Sequence, residues 1–200
     1  AFLSPDEGLV AEYRRARERF AVAVEHLDAL RDRPAETRDG RRISLTANCG
    51  LVSDLRLVDQ HGSDGIGLFR TEMLAFAHRG FPEEDEQKQL YERVARFVAP
   101  RPVTFRTLDL GGDKDPGNLG IREEENPQLG CRSIRLSLEH PEGFRAQIRA
   151  ILRASASKNV RLLLPMISSI DELRRARALV CECKAQLQRA GLPFDPDIPV

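Results

Sequence analysis

Pro102-Val-Thr-Phe-Arg-Thr-Leu-Asp-Leu-Gly-Gly-Asp-Lys114 is the stretch that decides the fold: an apolar run followed at once by polar residues and glycines. Its first six residues indicate a buried strand, because strands covered on both faces of a parallel sheet form nearly continuous apolar runs. Three similar runs occur elsewhere in the chain. They are Ile43-Ser-Leu-Thr-Ala47, Gly65-Ile-Gly-Leu-Phe69 and Val160-Arg-Leu-Leu-Leu164.

Helical segments are predicted between these four strands. One starts at Ser53-Asp54 and runs towards Gly62, and the next opens at Phe81-Pro82. Three more follow, over residues 131–138, 141–156 and 171–190. Alternating strands and helices predict an α/β fold with parallel strands and right-handed crossovers, either an open sheet or a barrel. In both folds the functional residues lie at the carboxyl ends of the strands.

The N-terminal segment has a different pattern. Ser4-Pro5-Asp6-Glu7 is a helix start, with a capping serine and a glutamate three residues later. Apolar residues recur behind it at helical spacing, which predicts a long helix with one face against a core. The stripe comprises Leu9, Tyr13, Ala16, Phe20, Leu27 and Leu30. Residues 34–40 indicate a linker, so we expect a helix and linker over 1–40 and the strand-containing domain over 41–200.

Composition bounds the class of protein. The 200 residues are enough for one domain or two small ones, and 31 basic against 31 acidic residues give zero net charge. This balance argues against a protein that binds nucleic acid or anionic membranes with its whole surface. No apolar stretch reaches the roughly 20 residues of a membrane span. The four cysteines match no zinc spacing, which favours reduced thiols in a cytoplasmic protein.

Two arginines stand at the ends of neighbouring predicted strands, Arg70 and Arg106, and each is followed by threonine. In adjacent parallel strands both guanidinium groups would point into one mouth. Such a pair suits a ligand with phosphate and carboxylate groups, because guanidinium bonds both of them in pairs. The alternative is that each arginine forms only a local ion pair, Arg70 with Glu72 or Arg106 with Asp109.

The loop after the third strand offers further candidates. Gly111-Gly112-Asp113-Lys114 is either a phosphate-binding nest or a tight turn, and it is not a Walker A motif. Arg132 and Arg135 are predicted to share one face of an early helical turn. Glu123-Glu124-Glu125 indicates a solvated loop rather than a metal site. None of the four histidines has a serine or cysteine at a catalytic spacing, so no nucleophile is assigned.

Taken in order, these strand-end motifs resemble the phosphoenolpyruvate (PEP)-binding domain of enzyme I of the bacterial phosphotransferase system. The resemblance runs from about residue 41 to 190. The matching motifs are Ala47-Asn48-x-Gly50, Gly65-Ile-Gly-Leu-Phe-Arg-Thr-Glu72, Arg106-Thr-Leu-Asp-Leu-Gly-Gly-Asp-Lys114, Glu125-Asn-Pro-x-Leu-Gly-x-Arg132-x-Ile-Arg135, Leu152-Arg-Ala-Ser-Ala156 and Pro165-Met-Ile-Ser168.

The resemblance implies a TIM (β/α)8 barrel whose first half, about four βα units, is present here after a connector helix. It implies transfer of the phosphoryl group of PEP to a histidine of the same enzyme and then to an HPr-type carrier, with release of pyruvate. Arg70, Arg106, Arg132 and Asn126 would bind PEP. The phosphorylated histidine is expected upstream of Ala1. The ligands of Mg²⁺, another substrate arginine and a cysteine proton donor are expected after Val200.

The same resemblance implies a cytoplasmic enzyme that is a homodimer at full length, with no nucleic-acid or membrane partner. The 200 residues alone are expected to be an inactive fragment, and residues 115–124 differ from the commonest pattern in a way that suggests a nitrogen-branch paralogue. Three alternatives remain: a fragment of a pyruvate phosphate dikinase or PEP synthase, a non-catalytic anion-binding module, or an oligomerising fragment with open sheet edges. The Gly-Gly-Asp-Lys ending favours enzyme I.

Overall fold

The four strands pair side by side in chain order, β1-β2-β3-β4, and all three pairings are parallel. The computed structural model describes residues 3–28, 30–111, 125–126 and 129–200. In chain order the elements are α1 (Glu7–Asp28), β1 (Ala47–Cys49), a 3-10 turn (Val52–Asp54), α2 (Leu55–Gln60), β2 (Ile66–Arg70), α3 (Glu72–His78), α4 (Glu84–Val98), β3 (Val103–Arg106), α5 (Ile134–Glu139), α6 (Pro141–Ala154), a 3-10 turn (Ser155–Ser157), β4 (Val160–Leu163) and α7 (Ile170–Arg189).

This arrangement confirms the predicted fold class. Parallel strands alternating with helices, in the order of the sequence, are the architecture of a partial (β/α)8 barrel. The sheet does not close on itself within the described residues, since β1 and β4 are its two outer strands. The main chain near the end of the chain continues the pattern, because Leu162 N donates to Pro199 O at 2.9 Å along the outer edge of β4.

The chain forms two compact units, Ala1–Ser44 with Gln60–Gly62 and Leu45–Asp59 with Ser63–Val200. In the first unit α1 has no buried residue, and Tyr13 and Phe20 are each 70% exposed. The predicted helix is present, but the expectation that its apolar stripe packs against a core is wrong for this chain. Periodicity identified the helix and its apolar face; it does not show what covers that face.

The second unit has its core on one face of the sheet. Phe69 of β2 and Phe105 of β3 are buried with their rings 5.5 Å apart, and Tyr91 of α4 packs on Phe105 at 4.7 Å. Helices α4, α6 and α7 complete this core. Burying an aromatic side chain of this size stabilises the fold by about 1.5–3 kcal/mol. Strand residues alternate in direction, so Arg70 and Arg106 lie on the opposite face.

The first strand begins later than predicted, at Ala47 instead of Ile43. Ile43 N donates to Ala35 O within the first unit, while Leu45 N donates to the side chain of Asp64 at 2.8 Å. A carboxylate therefore accepts the hydrogen bond that a strand neighbour would otherwise accept. Helix α3 is not among the predicted helices, because its seven residues follow the Phe-Arg-Thr motif with no separate start signal.

Other sequence expectations concern cysteines and membranes. All four cysteines are thiols, and burial raises the pKa of Cys183 to about 11. Cys181 is exposed on the other side of α7, as its position two residues away predicts. Within the described part of the chain, no helix combines the length and the apolar composition needed to cross a membrane.

The start of α7 is a capping box. The Ser169 hydroxyl accepts from Glu172 N at 3.1 Å, and the Glu172 carboxylate accepts from Ser169 N at 3.0 Å. The Ser168 N–H donates to the same carboxylate at 2.7 Å and the Ser168 hydroxyl at 2.9 Å, and Arg135 pairs with it at 3.3 Å. These bonds, led by the one from Ser168 N, lower the pKa of Glu172 to about 2 from an ordinary 4.5.

We expect Glu172→Gln to destabilise the fold in a pH-dependent way. Since the folded-state pKa of Glu172 is depressed, its contribution is complete above pH 4.5 and is lost as the pH falls towards about 2. The difference in unfolding free energy between wild type and Glu172→Gln should therefore narrow over that interval. Urea unfolding at a series of pH values measures it. Asp171→Asn, in the same helical turn, is the control. If the difference in unfolding free energy between wild type and Glu172→Gln does not change with pH, the lowered pKa of Glu172 is contradicted.

Candidate anion-binding site

Arg70 and Arg106 are Cα partners in the β2–β3 ladder, so the two predicted arginines lie side by side at the carboxyl ends of their strands. Their neighbours Phe69 and Phe105 are also paired and point into the helix-covered core. Both arginines therefore project from the other face of the sheet. The sequence prediction that they share one mouth follows directly from this register.

Arg106 belongs to a buried chain of alternating charges. It pairs with Glu72 Oε1 through Nη2 and with Asp109 Oδ2 through Nη1 at 3.4 Å. Asp109 Oδ1 in turn accepts from Arg132 Nη2 at 3.1 Å. Glu72, Asp109 and Arg132 are only 5%, 7% and 8% exposed. The chain Glu72–Arg106–Asp109–Arg132, which we call the charge chain, brings two of the predicted arginines to one place.

One of the two local ion pairs expected from the sequence differs from the ion pair that the structure shows. Among the described residues the ion pair of Glu72 is with Arg106 and not with Arg70, because Glu72 is the first residue of α3 and reaches across to β3. Its Oε1 also accepts from Asp109 N at 3.2 Å. The Arg106–Asp109 pair is present as expected, but it is part of the site rather than an alternative to it.

Glu72 Oε2 and Arg106 Nε are buried atoms of the charge chain that have no hydrogen-bond partner among the described residues. A buried polar atom left unpaired costs about 1–3 kcal/mol. Arg106 Nε–H is a donor, so an anionic ligand at this face is one kind of group that would pair it. Most buried polar groups in folded proteins are hydrogen-bonded, so these two atoms are exceptions that a ligand would explain.

Arg70 is exposed and is flanked by the turn after β1. A Cβ built on Gly50 would lie 3.2 Å from Arg70 Nη2, so glycine leaves room for the guanidinium. The turn is held by Asp54, whose Oδ2 accepts from Gly50 N at 3.0 Å and Leu51 N at 2.9 Å. These two bonds lower the pKa of Asp54 and keep it ionised. The Ala47–Gly50 motif therefore contributes the wall beside Arg70.

Gly111 allows the backbone before α5 to approach the end of the β3 loop. Its φ is +122°, and a Cβ at this position would lie 2.4 Å from Arg132 Cβ. Ser133 N donates to Leu110 O at 2.8 Å across the same contact. Gly111 is thus required for close approach of Arg132. The other members of the predicted nest, Gly112 to Lys114, lie outside the described residues.

Arg132 and Arg135 do not share a helical turn, which corrects a sequence prediction. Helix α5 begins at Ile134, so Arg132 precedes it and turns into the charge chain. Arg135 instead donates to Leu129 O at 2.7 Å and Gly130 O at 2.9 Å. It tethers the preceding segment and pairs with Glu172, at a different place from Arg132.

Asn126, the remaining predicted ligand, is exposed, and its carbonyl accepts from Leu129 N at 3.0 Å. No described contact brings its side chain to the arginines. Of the predicted solvated run, Glu125 is exposed, and Glu123 and Glu124 lie outside the described residues.

Comparison with known proteins decides the family. Residues 24–200 match the family model described as "PEP-utilising enzyme, PEP-binding domain". The chain belongs to this family.

Curated relatives of this PEP-binding domain are named phosphoenolpyruvate-protein phosphotransferase, which confirms the resemblance seen in the strand-end motifs. The protein of Staphylococcus carnosus is 42% identical over 196 residues, 98% of this chain and 34% of the relative. That of Buchnera aphidicola is 37% identical over 198 residues, 99% and 35%. That of Listeria monocytogenes is 39% identical over 196 residues, 98% and 34%. The chain spans about a third of the length of these relatives.

Among the residues that the structure describes in this PEP-binding domain, no group of three or more His, Cys, Asp or Glu side chains is placed to hold a metal ion. The two carboxylates nearest the arginines, Glu72 and Asp109, are already paired with Arg106 and Arg132. Mg²⁺ prefers several oxygen ligands in octahedral geometry, which these residues do not offer.

Sequence reasoning missed the side chains behind the arginines. Glu72 and Asp109 were considered only as local ion-pair partners, and Gln147 and Tyr91 were not considered as site residues. A usable signal exists for Gln147: it is a polar residue in the stripe of α6 that also carries Phe144, Ile148 and Ile151, all buried. A buried glutamine in an apolar stripe requires hydrogen-bond partners.

We expect Gly111→Ala to displace Arg132 as well as to destabilise the domain. The matched control is Gly191→Ala, since Gly191 also has a positive φ, +66°, but nothing within 4 Å of a Cβ. The control should lose about 1 kcal/mol from backbone strain alone, and Gly111→Ala should lose about 3 kcal/mol, because a φ of +122° is harder for alanine to adopt and its Cβ also meets Arg132. Urea unfolding measures both. Equal losses would show that the contact with Arg132 does not restrict this position.

Proposed function

We propose that this chain supplies the PEP-binding arginines of a phosphotransferase that passes the phosphoryl group of PEP to a protein histidine. The observation that carries the proposal is the in-register pairing of Arg70 with Arg106 at the carboxyl ends of β2 and β3. The family match and the names of the relatives support it. Those names also favour this activity over a pyruvate phosphate dikinase or PEP synthase.

The proposed ligand has a phosphate and a carboxylate. The site offers two arginines that carboxylates hold in place and one that is exposed. Arg106 and Arg132 are fixed by carboxylates, so their forks are oriented before a ligand arrives. Arg70 is exposed beside Gly50 and has more freedom to move. Arg70, Arg106 and Arg132 against Glu72 and Asp109 leave one net positive charge. Guanidinium groups match both anionic groups in pairs and stabilise charge that develops on a transferring phosphoryl group. Asn126 remains a weaker proposed ligand.

The reaction as proposed breaks the P–O bond of PEP and forms a P–N bond to a histidine. The enolate left behind takes a proton to become pyruvate. Neither the histidine nor the proton donor is assigned to this chain, so its own residues bind and orient PEP. Mg²⁺, where it participates, would neutralise phosphate charge, and its ligands are proposed to lie outside these 200 residues. An HPr-type carrier as acceptor, a homodimer and a cytoplasmic location are further parts of the proposal.

A chimaera tests the activity. The aligned stretch of the Staphylococcus carnosus relative is replaced by this chain, with which it is 42% identical. We expect exchange of isotope between pyruvate and PEP in the absence of any nucleotide. Strict dependence on ATP would support the dikinase alternative and overturn the proposal. The same chimaera with Arg106→Lys is the control, because lysine keeps the charge and loses the fork, and it should lose most of the exchange.

The 200-residue chain alone should bind PEP weakly and without metal. We expect calorimetry to give a dissociation constant near 1 mM, which corresponds to about 4 kcal/mol, with no change on addition of EDTA. Arg70→Ala should weaken binding about tenfold and leave stability unchanged, because Arg70 is exposed. Arg96→Ala, at an arginine whose side chain is 73% exposed on α4, is the control. Tight binding that requires Mg²⁺ would show that the chain contains a metal site after all.

A further inference from the structure

A connected set of four buried polar side chains lies behind the charge chain, and the proposed reaction does not use it. Gln147 of α6 is at its centre: Oε1 accepts from Leu108 N at 2.9 Å, and Nε2 donates to Thr71 Oγ1 at 3.0 Å and Tyr91 OH at 3.2 Å. Tyr91 OH donates to Gln87 Oε1 at 2.9 Å. All four side chains, those of Thr71, Gln87, Tyr91 and Gln147, are 2% exposed or less.

The direction of every hydrogen bond in this network is fixed. Leu108 N can only donate, so the amide oxygen of Gln147 must face it and the amide nitrogen must face Thr71 and Tyr91. Gln87 Nε2 donates to Pro82 O at 2.8 Å, so its oxygen accepts the single phenol proton of Tyr91. Burial raises the pKa of Tyr91, which keeps that proton in place. The four side chains therefore have only one pattern of hydrogen-bond donors and acceptors.

The network holds the main chain at the point where β3 leaves the sheet. The ladder to β4 ends with Thr107 N donating to Leu163 O at 3.0 Å. On either side of Thr107, Thr71 Oγ1 donates to Arg106 O at 2.9 Å and Gln147 accepts from Leu108 N. The side chains of Thr71 and Gln147 thus make the hydrogen bonds that a neighbouring strand would otherwise make. The next residue is Asp109, which pairs with both Arg106 and Arg132.

We propose that Gln147, together with Thr71, is a positioning residue that sets the path of residues 106–109 and thereby the orientation of the Arg106 and Arg132 guanidinium groups. The proposal rests on the proposed function only for its ligand, PEP. An apolar residue at position 147 would fit the α6 stripe, but Leu108 N would lose its acceptor and Thr71 Oγ1 would lose the hydrogen bond from Gln147 Nε2. The glutamine is required by the loop that carries the charge chain, not by the helix.

The test compares two buried amides at opposite ends of the strands. Gln147→Met removes the hydrogen bonds at nearly constant volume. The matched control is Asn159→Leu, because Asn159 Nδ2 donates to Ala95 O at 3.0 Å and Arg101 O at 2.9 Å near the start of β3 and β4. Both should lower the melting temperature of the 200-residue chain. We expect only Gln147→Met to weaken PEP binding, by about tenfold, with the control within about twofold of wild type.

A second pair of variants covers the case in which Gln147→Met does not fold. Thr71→Ser keeps the hydroxyl that bonds Arg106 O, and Thr71→Val removes it while keeping the volume. Thr71→Ser should bind PEP as wild type does, and Thr71→Val should bind it about tenfold more weakly. If the serine variant shows the same loss as the valine variant, or if Asn159→Leu weakens binding as much as Gln147→Met, the network is structural only and the proposal is wrong.

A readout without ligand separates this proposal from the proposed function. The side-chain Nε–H signal of Arg106 in nitrogen-edited NMR reports its orientation in the absence of PEP. If wild type does not bind PEP, the proposed function fails, and this signal decides the positioning role by itself. A shift in Gln147→Met and not in Asn159→Leu supports the role, and an unchanged signal in both overturns it.

Discussion

Arg70 and Arg106 occupy paired positions of two parallel strands whose backbones lie about 5 Å apart along the hydrogen-bonding direction, so two side chains of like charge leave the sheet from neighbouring positions on one face. The positive charge of Arg106 is balanced by Glu72 and Asp109, which lie nearly buried beside it. Their placement requires α3 to begin immediately after β2 and the loop after β3 to turn back towards it. Both carboxylates that pair with Arg106 therefore come from the segments that directly follow β2 and β3.

Buried charges are stable only when their geometry is good and their remaining polar atoms are paired. The charge chain meets the first condition because the backbone beneath it is held from several directions: Thr71 and Gln147 from behind, and Gly111 through the close approach of Arg132. Loss of any one of these supports would change the distance between charged groups, with larger energetic consequences than the lost contact alone. This coupling is why a glutamine buried in α6 can influence a guanidinium on the opposite face of the sheet.

The sequence predicted those parts of the fold that depend on local pattern. Apolar runs located β2, β3 and β4, and the strand-end rule brought Arg70 and Arg106 together from their positions in the chain alone. It did not predict that Glu72 bonds Arg106, because that contact depends on α3 beginning at Glu72, and α3 had no separate start signal in the sequence. It also placed Arg132 and Arg135 on one helical turn, which failed because Ser133 between them has a non-helical backbone, with φ +56°, and α5 begins only at Ile134.

The apolar stripe of α1 also shows what a local pattern does not predict. Its period is helical, yet none of its residues is buried. Periodicity describes one element, whereas burial depends on what lies against it.

The ion pairs of the charge chain affect how it could bind an anion. An incoming anion must share Arg106 and Arg132 with Glu72 and Asp109, so the carboxylates lower affinity for it. Because they also fix the guanidinium forks in advance, little ordering entropy remains to be lost on binding. Orientation of the guanidinium groups is thus gained at the expense of affinity for the anion.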